Sequence, residues 1–303
     1  MGRAREGAVT PPVRLSVALV VATAAACAVP GVGPVAASVL PHVAIVALVM
    51  VVGAASGWLT NRRAAAVLGD GLWGVLNRVA SLRLLLLPSA PTGTLGLLDG
   101  LHPWAVVVAY LVVIDVAVSV SHAWMHRDAR LWPVHEVHHN QTVWQPTLYG
   151  RGHILEGVRS AVAVAVAGWL LGGDRSALWV LGLVFPLSGY LAHLPWRLPV
   201  GPLAYVIVTP QYHAIHHSAD PRHHDRNFGG VTTIADLLMG TACWDFDAVR
   251  EYGTGDVPAW EADRPTVAAA VRAWWGGLWH PVRRWFGMMS PQHPAPELRD
   301  VRG

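Results

Sequence analysis

Lysine is absent from this 303-residue chain, and all 22 basic residues are arginine. Charged residues of either sign make up only 14% of the chain, with a formal net charge of +3. An average soluble domain carries about 25% charged residues, so the deficit argues against an ordinary soluble globule. No basic face with interleaved aromatics occurs outside segments that flank apolar runs, which excludes nucleic acid as a partner. Cysteine is nearly missing too: Cys27 lies in an apolar run and Cys243 in a polar region. Two such cysteines exclude a disulfide framework and a cysteine-based metal site. Nor is there a flavin, haem or ferredoxin motif. What the chain has instead is apolar residues, 53% of the total, a mean hydropathy of +0.39, and sixteen histidines.

A membrane span needs roughly 20 mainly apolar residues. Candidate runs lie at about 15–30, 36–58, 104–121, 158–173 and 177–192. The last two are short and joined through Gly172, Gly173 and Asp174. Arginine placement gives an orientation. Arg3, Arg5 and Arg14 put the N-terminus inside, and Arg62, Arg63, Arg127 and Arg130 mark further inner ends. Two successive inner ends require another crossing between them, for which about 66–88 serves despite Asp70, Arg78 and Arg83. The expected fold is all-α: a polytopic transmembrane helical bundle with a cytosolic, histidine-rich helical cap holding a di-metal site. The expected organisation is an N-terminal transmembrane hairpin (1–63), a catalytic membrane domain (64–245) and a cytosolic or interfacial tail (246–303). Trp274, Trp275, Trp279 and Trp285, mixed with Arg272, Arg283 and Arg284, suit a headgroup region.

Most histidines fall between residues 122 and 224, and eight of them form three clusters. These are His122 with His126, then His135 with His138 and His139, then His213 with His216 and His217. On a helix, positions i, i+3 and i+4 are neighbours, so each cluster is expected to aim its imidazoles at one point. One transition ion takes about four to six ligands, so eight histidines call for two metal sites. Asp115, Ser119, His122 and His126 stripe one helix face. A carboxylate inside an apolar run is costly and a functional candidate, and Asp115 is expected to orient a ligand imidazole through its outward nitrogen. Glu136 lies between ligands but off their face, so a supporting or solvated role is expected. His223 and His224 read as solvated loop residues, and His42, His102, His280 and His293 as interfacial or solvent-facing.

The order of these elements resembles the fatty acid hydroxylase, or sterol desaturase, superfamily of membrane di-iron enzymes. The resemblance runs through His122-Ala-Trp-Met-His126-Arg127, Leu131-Trp-Pro-Val-His135-Glu-Val-His138-His139 and Arg151-Gly-His153-Ile-Leu-Glu156. It continues through His193-Leu-Pro-Trp-Arg197-Leu-Pro199, Val208-Thr-Pro-Gln-Tyr-His213-Ala-Ile-His216-His217-Ser218 and Asp225-Arg-Asn227-Phe-Gly229. It covers about residues 66–242. Ile154, Pro195 and Ala214 depart from the usual pattern without touching the eight clustered histidines. The resemblance adds His153 and His193 to the expected metal ligands. It implies two iron ions, with zinc able to occupy the sites in purified protein, and O2 as co-substrate. It implies hydroxylation or desaturation of a C–H bond in a lipid such as a fatty acyl chain, a sterol or a carotenoid-like molecule. Electrons are expected from a separate donor of the ferredoxin, rubredoxin or cytochrome b5 kind with its reductase. The expected location is the bacterial cytoplasmic membrane, multi-pass, with the active site on the cytosolic side.

Two other readings compete. A non-redox zinc membrane enzyme would need a general base beside the metal, yet no HExxH occurs. A metal transporter or storage protein would be expected to place ligands within spans near the midplane, whereas these clusters sit at span ends or beyond.

Overall fold

The computed structural model describes residues 34–55, 57–85, 93–172, 177–254 and 266–287. The apolar run at 15–30, the N-terminal arginines, Cys27 and His293 lie outside these residues. Among those described, every regular element is helical; two isolated bridges, Ile207 with Thr232 and Ser218 with Tyr252, are the extended pairings. The α-helices are α1 (Pro34–Ala55), α2 (Asn61–Leu85), α3 (Pro103–Arg127), α4 (Trp132–His139) and α5 (Ile154–Leu171). They continue as α6 (Ala177–Ala192), α7 (Pro210–His216), α8 (Ile234–Met239) and α9 (Val267–Trp285).

Two of them, α3 and α5, are long and apolar enough to cross a membrane. With 25 residues, α3 extends about 37 Å, more than a hydrocarbon core of about 30 Å. It starts at Pro103, where a missing N–H costs nothing, and the His102 side chain accepts from Trp104 N. α6 has 16 residues and an internal Pro186, so it is short for a perpendicular crossing. α2 does not qualify by composition. Its Asp70 is fully buried and faces Arg151, as a polar position turned toward other elements rather than lipid.

The apolar core is divided. Val106, Tyr110 and Ile114 of α3 pack on Ala167 and Leu171 of α5 and Leu181 of α6. A second cluster joins Ile45 and Val49 of α1 to Val67 of α2, Tyr190 of α6 and Leu194. Helix α9 lies directly on α2 and α4: Ala273 packs with Trp73 of α2 and Val137 of α4. Gly277 is required there, because a Cβ would sit 1.9 Å from the Trp73 ring. Trp274 Nε1 donates to Asn77, and Trp285 Nε1 donates to the Arg130 carbonyl at 2.7 Å.

Two expectations of exposed histidines are corrected here. His42 is fully buried between Tyr190 and the Gly71 carbonyl, because Gly74 and Gly150 leave room for its ring. His280 is buried as well and bonds Glu136 Oε2 at 2.8 Å. A buried imidazole needs a partner for each proton it carries, and both have one.

Candidate metal centre

Nine histidines converge into two groups beside the C-terminal end of α3. His122, His126, His135, His139 and His216 form the first; His138, His193, His213 and His217 form the second. Within each group one nitrogen per ring lies within 4.8 Å of all the others. The two HxxHH motifs do not act as units, which corrects the expectation that each aims three rings at one point. His135 and His139 join one group and His138 the other, while His213 and His217 join one and His216 the other. The reason is helical geometry. At 3.6 residues per turn, position i+4 is rotated about 40° one way from i, and i+3 about 60° the other way. The i,i+4 pair therefore stays together and i+3 diverges to the neighbouring site. The two groups are laced by both motifs.

The donor chemistry fits metal ions. His126 Nε2, His193 Nε2, His213 Nδ1 and His216 Nε2 are buried with no hydrogen-bond partner, a state that is costly unless something else binds them. Other nitrogens meet face to face: His122 Nε2 is 2.7 Å and His139 Nε2 3.0 Å from His135 Nε2. His217 Nε2 is 3.2 Å from His213 Nε2. Imidazoles on one ion at about 2.1 Å stand roughly 3 Å apart, so these spacings suit edges of a coordination shell. Burial pushes His138 down to about 3, against an opposing bond to the Arg151 carbonyl, and His216 down to about 4. The same desolvation, followed by repulsion among the rings, holds His135, His139, His213 and His217 well below the ordinary histidine range. The rings are thus neutral, the form that binds metal.

The outward nitrogens are fixed by partners, which sets the tautomer and turns Nε2 inward. His122 Nδ1 donates to the Phe228 carbonyl at 3.0 Å and His216 Nδ1 to the Arg226 carbonyl at 2.8 Å. His138 Nδ1 donates to the Arg151 carbonyl at 2.9 Å, and His193 Nδ1 to the Gly189 carbonyl at 2.7 Å. His135 Nδ1 has a carboxylate partner, Glu156 Oε2, at 3.0 Å.

Two sequence expectations fare differently in the structure. His153 stands outside both groups. Its Nδ1 accepts from Leu155 N and its Nε2 faces the Leu278 carbonyl at 3.1 Å, so the ring caps α5 and ties it to α9. Asp115 does not touch a ligand imidazole. It accepts from Val231 N at 2.9 Å, Thr232 N at 2.8 Å and Thr232 Oγ1 at 2.6 Å. It therefore fastens to α3 the loop that carries Phe228, and acts on His122 through that loop. His223, expected in solvent, is buried against Ser218 Oγ at 2.9 Å.

Several supporting residues carried no role in the sequence reading. Asp70 pairs with Arg151 at 3.0 Å and accepts from Gln145 at 2.7 Å. Asp236 accepts from Phe228 N and Gly229 N at 2.8 Å each and from Tyr212 Oη at 2.9 Å, holding the loop from the far side. Asn227 adopts a left-handed φ of 59° and bridges Tyr212 and Cys243. A signal for Glu156 was present in its position three residues after His153, a capping-box spacing; nothing local marks Asp236.

A cavity of about 460 Å³ is lined by His122, His135, His138, His193 and His213. Away from the histidines its wall is largely apolar, with Ile114, Val118, Val164, Leu181 and Phe185.

Residues 107–241 match the fatty acid hydroxylase family. This match and the relatives that follow fit the fatty acid hydroxylase and sterol desaturase superfamily. Curated relatives include the alkylglycerol monooxygenase of Danio rerio, 25% identical over 44% of this chain and 30% of that protein. The Homo sapiens protein of the same name is 26% identical over 49% of this chain and 32% of its own length. The Caenorhabditis elegans one is 22% identical over 64% and 45%. The chain thus spans less than half the length of these relatives. No solved structure matches it.

Proposed function

We propose that this protein is a membrane-bound, O2-dependent di-iron oxidoreductase that hydroxylates a C–H bond of a lipid. The observation that carries the reading is the largely apolar cavity that histidines of both groups help to line. A water-soluble substrate would not need such a wall, and a hydrolase would need a general base at the metals. Glu156, the carboxylate lining the cavity beside them, is committed to His135 and to His153 N. The names of the matched relatives, which are monooxygenases, agree with this chemistry.

Nine histidines would hold the ions: His122, His126, His135, His139 and His216 at one, His138, His193, His213 and His217 at the other. When bound, two redox-active ions supply activation of O2 with electrons from a separate protein donor. The chain's own residues do the rest. Glu156 and the four carbonyls hold the Nδ1 protons, so that Nε2 faces inward. Val118, Leu181 and Phe185 exclude water and keep a hydrocarbon chain against the histidine wall. Asp115 and Asp236 keep Phe228 over His122, His126 and His216, its ring centroid 5.2–5.5 Å from theirs. α3 and α5 would cross the membrane, with further spans in a multi-pass bundle and the histidines on the cytosolic side.

The test is O2 consumption by purified protein in lipid nanodiscs. Uptake that requires iron, a reductase with a small redox carrier, and added lipid supports the reading. Metal binding with no lipid-dependent O2 uptake under any donor would point to storage or transport.

A further inference from the structure

The cavity wall contains one cation that the metal centre does not use. Arg159 of α5 lines the cavity. Its Nη1 donates to the Val118 carbonyl at 3.1 Å and to Ser121 Oγ at 3.3 Å, while its Nε is buried with no partner. Glu156, one turn away, has its oxygens on His153 N and His135 Nδ1 and attracts Arg159 through charge without a direct hydrogen bond to it. Nη1 is thus met, whereas a buried guanidinium donor left without an acceptor, as Nε is, is costly.

We propose that Arg159 receives the polar, oxygen-bearing head of the lipid substrate, so that the carbons oxidised are those next to the head. This rests on the reading of the cavity as a lipid oxygenase site. The register supports the placement. Val118, whose carbonyl Arg159 holds, precedes His122 by four residues, and Arg159 follows Glu156 by three. Arg159 therefore stands about one helical turn, roughly 5 Å of rise, from the histidine wall. Ile114 and Val164 lie about one turn further along the same helices and are apolar. A head bound at Arg159 leaves the tail to run along that apolar stretch, and only its first few carbons lie beside the histidines. The shared chemistry is an oxygen acceptor, met by a carboxylate or by a neutral hydroxyl or ether oxygen.

The test uses full-length, zinc-loaded protein in nanodiscs without reductant, so that binding is read apart from turnover. Probes are hexadecanoic acid, hexadecan-1-ol and hexadecane. Loss of one charge-assisted hydrogen bond weakens binding by about ten- to a hundredfold. Arg159→Met is expected to weaken hexadecanoic acid or both oxygen-bearing probes by that factor and to leave hexadecane unchanged. Loss confined to the acid identifies a carboxylate head; loss of both identifies any oxygen acceptor. Arg159→Lys is expected to recover part of the affinity. Equal loss for all three probes, or loss of metal from the variant, overturns the proposal and leaves Arg159 as a brace between α3 and α5. No loss for any probe overturns it as well, as does wild-type protein that binds none of them. With iron and reductant, wild-type product should be oxidised within the first few carbons, and attack at the terminal methyl contradicts the placement. Protein that binds through Arg159 but consumes no O2 overturns the oxygenase reading instead.

Discussion

Arg151 holds His138 with its main chain and answers Asp70 with its side chain: the carbonyl accepts His138 Nδ1 at 2.9 Å, and Nη1 meets Asp70 at 3.0 Å. Both charged side chains are essentially fully buried, and the guanidinium also donates to the Val137 carbonyl and to Asn140. One residue thus locks the helix that carries three of the clustered histidines to α2. Breaking a buried pair from one side costs about 3–5 kcal/mol. Asp70→Asn is therefore expected to lower Tm by roughly 10 °C and to loosen the ion held by His138. Thermal denaturation with metal analysis checks both. An unchanged Tm would mean that the Val137 carbonyl and Asn140 satisfy Arg151 alone.

Glu156 differs from the other outward partners because it is a carboxylate, which raises the basicity of His135. Removing such a partner typically costs ten- to a hundredfold in metal affinity or activity. Glu156→Ala should show a loss in that range, together with a weaker α5 cap. Glu156→Gln keeps an acceptor and should fall between. Competition against a chelator, followed for each variant, reads the effect. Equal affinity in all three proteins would leave Glu156 as a helix cap only.

The sequence made the histidines conspicuous because helical spacing is local: i, i+3 and i+4 can be read from five letters. Which ion each histidine serves was not legible, since that depends on where α3, α4 and α7 meet. The role of Asp115 was misread for a related reason. Its stripe with His122 and His126 is correct as a helix face, but its partners, Val231 and Thr232, lie over a hundred residues away. His42 and His280 looked interfacial because neither has a patterned neighbour; their burial follows from glycines that pack against distant elements. The α-helical class was legible from the long apolar runs, whereas the polar, inward-facing side of α2 around Asp70 has no local marker.

The split of each HxxHH motif makes a distinct prediction. His138→Ala and His139→Ala remove adjacent residues yet should loosen different ions. The two variants should therefore leave different spectroscopic signatures in cobalt- or iron-loaded protein. His193→Ala should resemble His138→Ala, because both rings belong to one group. His153→Ala should retain two metals and lose about 1 kcal/mol of stability from the α5 cap. A His153→Ala protein missing one ion would place that ring in a metal shell after all.

The last prediction concerns acid. In metal-free protein, burial lowers His138 to about 3 and His216 to about 4, and holds His139, His213 and His217 well below 6.5. The unfolded chain binds protons at these rings near pH 6.5, while the folded chain does not. Stability is therefore fully present above about pH 6.5 and declines as pH falls toward 4 and then 3, where the folded rings titrate. At pH 5 a single such histidine costs about 2 kcal/mol relative to pH 7.5, and several act together. Metal-free protein should thus melt far lower at pH 5 than at pH 7.5. Bound ions add stability by mass action, so metal-loaded protein should be shifted less until protons displace the ions. Replacing His138 with Gln, an uncharged side chain of similar reach, should flatten the acid limb of the metal-free curve. A metal-free protein whose Tm is the same at pH 5 and pH 7.5 would mean that the rings are hydrated once the ions are gone.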